Sequence, residues 1–270
     1  MQFIVDMMPE VASEHGPAID NLIVLIHWLM AILFVGWSGF FGFILFRFRQ
    51  GRNPRADYHG VKNHLSTYAE VGVAIVEAVL LIGFSIPLWS DRVDDVPAPS
   101  DALEVRVIAE QFVWNVHYPG ADGVFGRTAP DLVNTETNPV GLDFEDPNAA
   151  DDITTINQLH LPVDQAVIVY LTSKDVIHSF ALPHMRVKQD AIPGMEIPVW
   201  WVPTKTTEQM RQETGNPEFV YEISCAQLCG MGHYRMIGYY TIHTQEGYEA
   251  WMAEREAELA GSGDQDAFWN

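Results

Sequence analysis

The sequence predicts a two-helix transmembrane hairpin followed by an all-β domain. Three observations carry that prediction. Residues 22–46 and 71–89 are apolar stretches long enough to span a bilayer. Short β-rich runs then recur between residues 103 and 244, punctuated by turn residues, as in an antiparallel sandwich or barrel. The chain has only 2 cysteines, and both lie in one short stretch behind most of those runs, as befits a loop held by a rigid β scaffold.

Composition narrows the partners. The chain has 270 residues, room for a membrane anchor and one globular domain. Its net charge of −21 argues against nucleic acid or an anionic membrane surface and suits a basic protein partner. The first 20 residues carry Asp6, Glu10, Glu14 and Asp20 and no Lys or Arg, so no ordinary cleaved signal peptide is expected. No C-x-x-C-H occurs, so the chain carries no c-type haem.

Residues 22–46 are apolar apart from His27 and Ser38, and His27 is read as a satisfied packing group. The loop from Arg47 to Lys62 holds five basic residues against Asp57 alone. The positive-inside rule places it in the cytoplasm or matrix, which puts both termini outside. Glu70 sits at the inner mouth of the second span and Glu77 lies seven residues on, about two turns or roughly 10 Å along the same helix face. An ionisable group at that depth is costly and functional by default. The alternative is a protonated Glu77 that hydrogen-bonds a neighbouring helix.

Asp91–Asp101, rich in Pro and Asp, reads as a linker. The β runs are Leu103–Ala109, Phe112–Tyr118, Ile153–Leu161, Ala166–Thr172, Val176–Leu182, Glu196–Val202, Glu218–Ser224 and Ile237–Thr244. Residues 119–152 interrupt them with eight acids against Arg127. A loop of this length either covers a partner face or is a solvated insertion. After Gln245 the chain reads as an acidic helix ending in G-S-G-D-Q-D.

Cys225 to Met236 reads C-A-Q-L-C-G-M-G-H-Y-R-M. Thiolate, thiolate, imidazole and thioether form a donor set that suits copper. Two thiolates on one compact loop can bridge two metal ions, whereas a mononuclear blue-copper site needs only one. Each copper then needs a terminal imidazole. His233 is one, and His178 in D-V-I-H-S-F-A-L-P is the best candidate for the other. The Cys/Cys/His/His set also fits a structural zinc site, and the two cysteines a disulfide. His160, His184 and His243 have no second ligand to pair with and read as hydrogen-bonded or solvated.

The segment V-I-H-S-F, the loop Lys188–Gly194 (K-Q-D-A-I-P-G) and C-x-x-x-C-G-x-x-H-x-x-M together resemble cytochrome c oxidase subunit II, and the likeness covers nearly the whole chain. The resemblance implies a cupredoxin-like Greek-key domain. The expected division is an external segment 1–20, a hairpin 21–90, a linker 91–102, a copper domain 103–245 and an acidic tail 246–270. It implies a dinuclear copper A centre. There Cys225 and Cys229 bridge both ions, His178 and axial Met236 complete one, and His233 with the Gln227 carbonyl completes the other. Such a subunit takes single electrons from a c-type cytochrome and passes them to haem in subunit I, where oxygen is reduced and protons are pumped. The implied partners are subunit I, other oxidase subunits, the cytochrome (soluble or within a respiratory supercomplex) and the lipid bilayer. The implied location is a bacterial plasma membrane or the mitochondrial inner membrane. Glu70 would open a proton path into subunit I.

Departures from the family pattern qualify this. Gln227 stands where the family has a Glu that also binds magnesium, so that ion loses its charge partner. Val73, Ala74 and Glu77 replace the usual Trp-Thr and Pro. The family's Q-W-x-W reads Gln111-Phe112-Val113-Trp114, with Phe112 at the electron-accepting position and Trp114 at the second. Both rings also suit a sheet core. Other functions compete. A quinol oxidase subunit II lacks the copper ligands. A copper delivery or assembly protein uses C-x-x-x-C plus a distant His and needs no axial Met. Nitrous oxide reductase adds a propeller for which this chain has no room.

Overall fold

The computed structural model describes residues 7–55, 58–59 and 63–262. Residues 1–6, Asp57 and Lys62 of the basic loop, and the last residues of the acidic tail lie outside the described residues. The chain divides into a helical unit, Ala18–Asp95, and a β unit made of Pro9–Pro17 and the chain from Val96 onward.

Helix α1 spans Gly16–Arg47 and covers the first apolar stretch. The second stretch is Leu65–Leu80 (α2), a π turn Leu81–Ser85, and Ile86–Val93 (α3). Pro87 accounts for the change of pitch, since its ring crowds the carbonyl four residues back and it has no N–H to give. Both helices are long and apolar enough to cross a membrane. Trp28, Phe34, Trp37, Ile75, Ile82 and Trp89 all point outward, so neither helix hides an apolar face as a water-soluble helix would.

Among the described residues, ten strands form two five-stranded sheets in the β unit. One sheet has the order β3-β2-β1-β5-β8, from Ile153–Ile156, Val113–Tyr118, Ala102–Glu110, Ala166–Ser173 and Ile197–Trp201. The other has the order β4-β10-β9-β6-β7, from Gln158–Pro162, Ile237–His243, Tyr221–Cys225, His178–Leu182 and Val187–Ala191. Alternation drives the packing: Val105, Val107 and Ala109 of β1 point inward and are fully buried. Trp114, Val169, Phe180, Trp201, Tyr221 and Ile223 complete the shared core. Two further helices are α4 (Thr207–Thr214), between β8 and β9, and α5 (Gln245–Ser262), after β10. A Thr206/Gln209 capping box starts α4 and Gly215 (φ 65°) ends it.

Several expectations change. The sheets are not purely antiparallel: β1 runs parallel to β5, and β4 parallel to β10. The run Ile153–Leu161 is two strands in different sheets. Asn157 (φ 57°) breaks it, and its amide, side chain and carbonyl bond Trp114 and Tyr239 at the crossing. Lys188–Gly194 is partly strand rather than wholly loop, because β7 pairs along β6.

Pro9–Pro17 straps onto the β unit instead of standing apart from it. Ala12 is fully buried, its N–H donates to His184 O (2.8 Å), and its carbonyl accepts from Thr204 N (2.9 Å). Ser13 Oγ donates to Met185 O at 2.7 Å. Residues 119–152 also fold against the domain. Val140, Leu142 and Ala149 form a small core against Ile108. His117 and Asp152, both fully buried side chains, pair at 2.6 Å, and Gly126 N–H donates to the same carboxylate oxygen.

Candidate metal centre

Strand pairing brings the sequence-distant donors together. Phe180 of β6 faces Cys225 of β9, so His178 at the start of β6 lies beside the end of β9. Ile237 pairs with Ser224, which returns the β9–β10 loop and Met236 to the same edge. The donor atoms of His178, Cys225 and Cys229 lie within 4.8 Å of one another, the one such group among the described residues.

The remaining distances follow the same pattern. Cys225 Sγ and Cys229 Sγ are 3.7 Å apart, and both cysteines are free. Cys229 Sγ lies 3.5 Å from His233 Nδ1 and 3.7 Å from Met236 Sδ. His178 Nδ1 lies 3.1 Å from Met236 Sδ and 4.0 Å from Cys225 Sγ. Cys225 Sγ approaches the Gln227 carbonyl oxygen at 3.1 Å, while the Gln227 side chain points to solvent. Two donors bound to one metal at about 2.0–2.3 Å stand roughly 3.5 Å apart in a tetrahedral arrangement. The cluster therefore matches donors poised around metal, and a disulfide would bring the sulfurs to about 2 Å.

The imidazole tautomer points the same way. Asp175 Oδ1 lies 2.9 Å from His178 Nε2, so Nε2–H donates outward and the Nδ1 lone pair faces the sulfurs. A carboxylate behind a ligating imidazole is the usual way to fix its tautomer. Burial, then the neighbouring Cys225 thiol, pushes the Cys229 thiol up to about 11, so metal binding at neutral pH must displace its proton. Sequence reasoning missed Asp175, although D-V-I-H places it three residues before His178.

The aromatic pair separates. Trp114 is fully buried, edge-on to His178 with ring centroids 6.2 Å apart. Phe112 is half-buried at the rim, beside Gly230 and Gly232, and the Arg235 guanidinium lies 5.7 Å from its ring centroid. Around it the loop exposes Leu228, Met231 and Tyr234, the last two 95% and 81% exposed. His160 and His243 pair with each other at 2.9 Å, and His160 stacks on Trp251. His184 bonds the Glu10 carbonyl. Glu70 and Glu77 are exposed on α2 without a partner among the described residues.

Residues 103–238 match the family model for the periplasmic domain of cytochrome c oxidase subunit II. An alternative cytochrome c oxidase subunit 2 of Bradyrhizobium diazoefficiens is 31% identical over 244 residues, covering 90% of this chain and 82% of the relative.

The chain belongs to the cytochrome c oxidase subunit II family.

The cytochrome c oxidase subunit 2 of Thermostichus vulcanus is 26% identical over 275 residues, covering 93% of this chain and 79% of that protein. Among solved structures, the periplasmic domain of subunit II of a Bradyrhizobium japonicum cytochrome oxidase is 25% identical. It covers 61% of this chain and 99% of its own, with a TM-score of 0.41. Membership makes the chain a subunit of a haem–copper oxidoreductase complex, anchored by apolar helices with its β domain outside the membrane. The family binds copper A, and the His178/Cys225/Cys229 group is where this chain can hold metal.

Proposed function

We propose that this chain is the electron-accepting subunit of its oxidase, receiving single electrons from a c-type cytochrome and passing them to haem in subunit I. The observation that carries the reading is the convergence of two free thiols, two imidazoles, a thioether and a carbonyl on one loop edge. In this reading Cys225 and Cys229 would be the thiolates shared by two coppers, with His178 and Met236 completing the hold on one and His233 and the Gln227 carbonyl on the other. A dinuclear copper centre supplies one-electron chemistry with the charge spread over two ions, so bond lengths change little.

The chain's own residues do the rest. Asp175 holds His178 in the tautomer that presents Nδ1 to the site. Buried Trp114 and Phe180 wall off one side from water. Phe112 offers the ring that a donor can reach, since Trp114 has no exposed surface. Residues 91–270 carry 29 acids against 10 bases, a field that speeds encounter with a basic donor and is screened over about 8–10 Å in salt. Gln227 supplies a neutral amide where magnesium wants a carboxylate, so magnesium has no part in this reading. Glu70, and beyond it Glu77, would carry protons inward from the inner face of the second span. The basic loop inside and both termini outside complete the topology.

The test compares Cys225→Ser and Met236→Leu in the purified complex. Cys225→Ser should abolish the two-copper spectrum. Met236→Leu should keep both coppers and shift the midpoint potential. A full copper spectrum in Cys225→Ser would refute the bridging role.

A further inference from the structure

We propose that Gln111 is a positioning residue that braces the two metal-binding segments against each other before any metal arrives. The copper reading above gives the brace its purpose, but the bonds that define it belong to the chain alone. Gln111 sits in the turn between β1 and β2, and its backbone N–H donates to Asp175 Oδ2 at 2.8 Å. The other oxygen of Asp175 accepts from His178 Nε2 at 2.9 Å and from Val176 N at 2.6 Å. The Gln111 side chain reaches the opposite side of the site, where Nε2 donates to the Cys229 carbonyl at 2.6 Å. One residue thus ties the segment that carries His178 to the loop that carries Cys225, Cys229, His233 and Met236.

The loop is shaped to receive that turn. Gly230 has φ +130°, and a Cβ there would fall 2.6 Å from Gln111 Nε2. Any side chain at Gly230 would push the amide off the Cys229 carbonyl as well as straining the backbone. The next residue of the turn, Phe112, fills the space over Gly232. The turn therefore meets the loop twice, through a polar contact at Gln111 and a ring contact at Phe112. A site that must change little on electron transfer gains from donors held by the protein itself as well as by the metal. An exposed Gln in a turn gives no hint of this in the sequence.

Gln111→Met keeps the length and neutrality of the side chain and replaces the amide that donates to Cys229, while the backbone N–H to Asp175 stays. The readout is hydrogen exchange in the full-length, copper-free chain in detergent. The probes are the amides of His233, Arg235 and Met236, which close the loop onto Gly230, Gly232 and His233. These should exchange about tenfold faster in Gln111→Met, equivalent to roughly 1.4 kcal/mol, with the Tm of the β unit unchanged. Gln111→Lys restores an N–H donor of similar reach and should recover the protection. Equal exchange in wild type and Gln111→Met overturns the brace. Faster exchange spread across the β unit with a lower Tm also overturns it, because that reports general stability. The measurement needs no metal, so failure of the copper reading leaves it interpretable, and its own failure leaves that reading intact.

Discussion

Gly232→Ala measures how tightly the metal-binding loop is seated on the β1–β2 turn. A Cβ at Gly232 would lie 2.4 Å from Phe112 Cδ2, 2.6 Å from Cε2 and 2.7 Å from Cγ. Carbon atoms in contact stand about 3.5–4.0 Å apart, so the new methyl overlaps the ring by about 1 Å. The Gly232 backbone (φ −94°, ψ 9°) is open to residues with side chains, so the cost is one of contact. Either the loop lifts or the ring turns outward, and overpacking of this kind costs about 1–3 kcal/mol. Phe112→Ala removes all three of those ring atoms, so the double variant should regain most of that loss, a coupling of about 1 kcal/mol or more. The assay is urea denaturation of the β unit in the full-length chain, for wild type, both single variants and the double variant. Strictly additive costs would show that ring and loop do not bear on each other.

Other outcomes follow from the same structure. Asp152→Ala should destabilise the β unit by about 1–3 kcal/mol by leaving the buried His117 Nε2 without its partner, as denaturant titration would show. A soluble fragment that begins at Val96 lacks the strap with buried Ala12. It should unfold at lower urea than one with the strap attached, by roughly 1–3 kcal/mol once the cost of ordering the strap offsets part of its bonds. Burial, and then the charges of His243 and Arg255, depress His160 from 6.5 to about 3. The unfolded chain therefore binds the extra proton first, and stability should fall by roughly 1.4 kcal/mol per pH unit as pH drops from about 6.5 toward 3. His160→Gln should remove that one-proton slope, read from denaturation midpoints across pH.

The legible parts of this protein are the local ones. Both membrane helices were written as long apolar runs with few polar interruptions, and the candidate metal site as five side-chain donors of recognisable type, four of them within twelve residues. What escaped depends on contacts between distant segments. The break at Asn157 has no pattern of its own, because an Asn in the left-handed region is set by Trp114 and Tyr239 across the sandwich. β7 is an edge strand whose K-Q-D composition reads as loop. α4 is short and buries only Thr207 and Met210, so its sole signal was the Thr206/Gln209 box with Gly215 behind it. The strap looked like a free N-terminal segment because its partners, His184, Met185 and Thr204, lie far along the chain. Asp175 and Gln111 were hidden for the same reason, since their partners are fixed by the fold.

The central claim is that Cys225 and Cys229 bridge two coppers, and copper counting combined with electron paramagnetic resonance on the assembled oxidase tests it most directly. Two bridged coppers should give two coppers per copy of this chain and one unpaired electron split by two near-equivalent copper nuclei. A single copper with one-nucleus splitting, or zinc in its place, would contradict it and return the chain to a copper-delivery or structural-metal role.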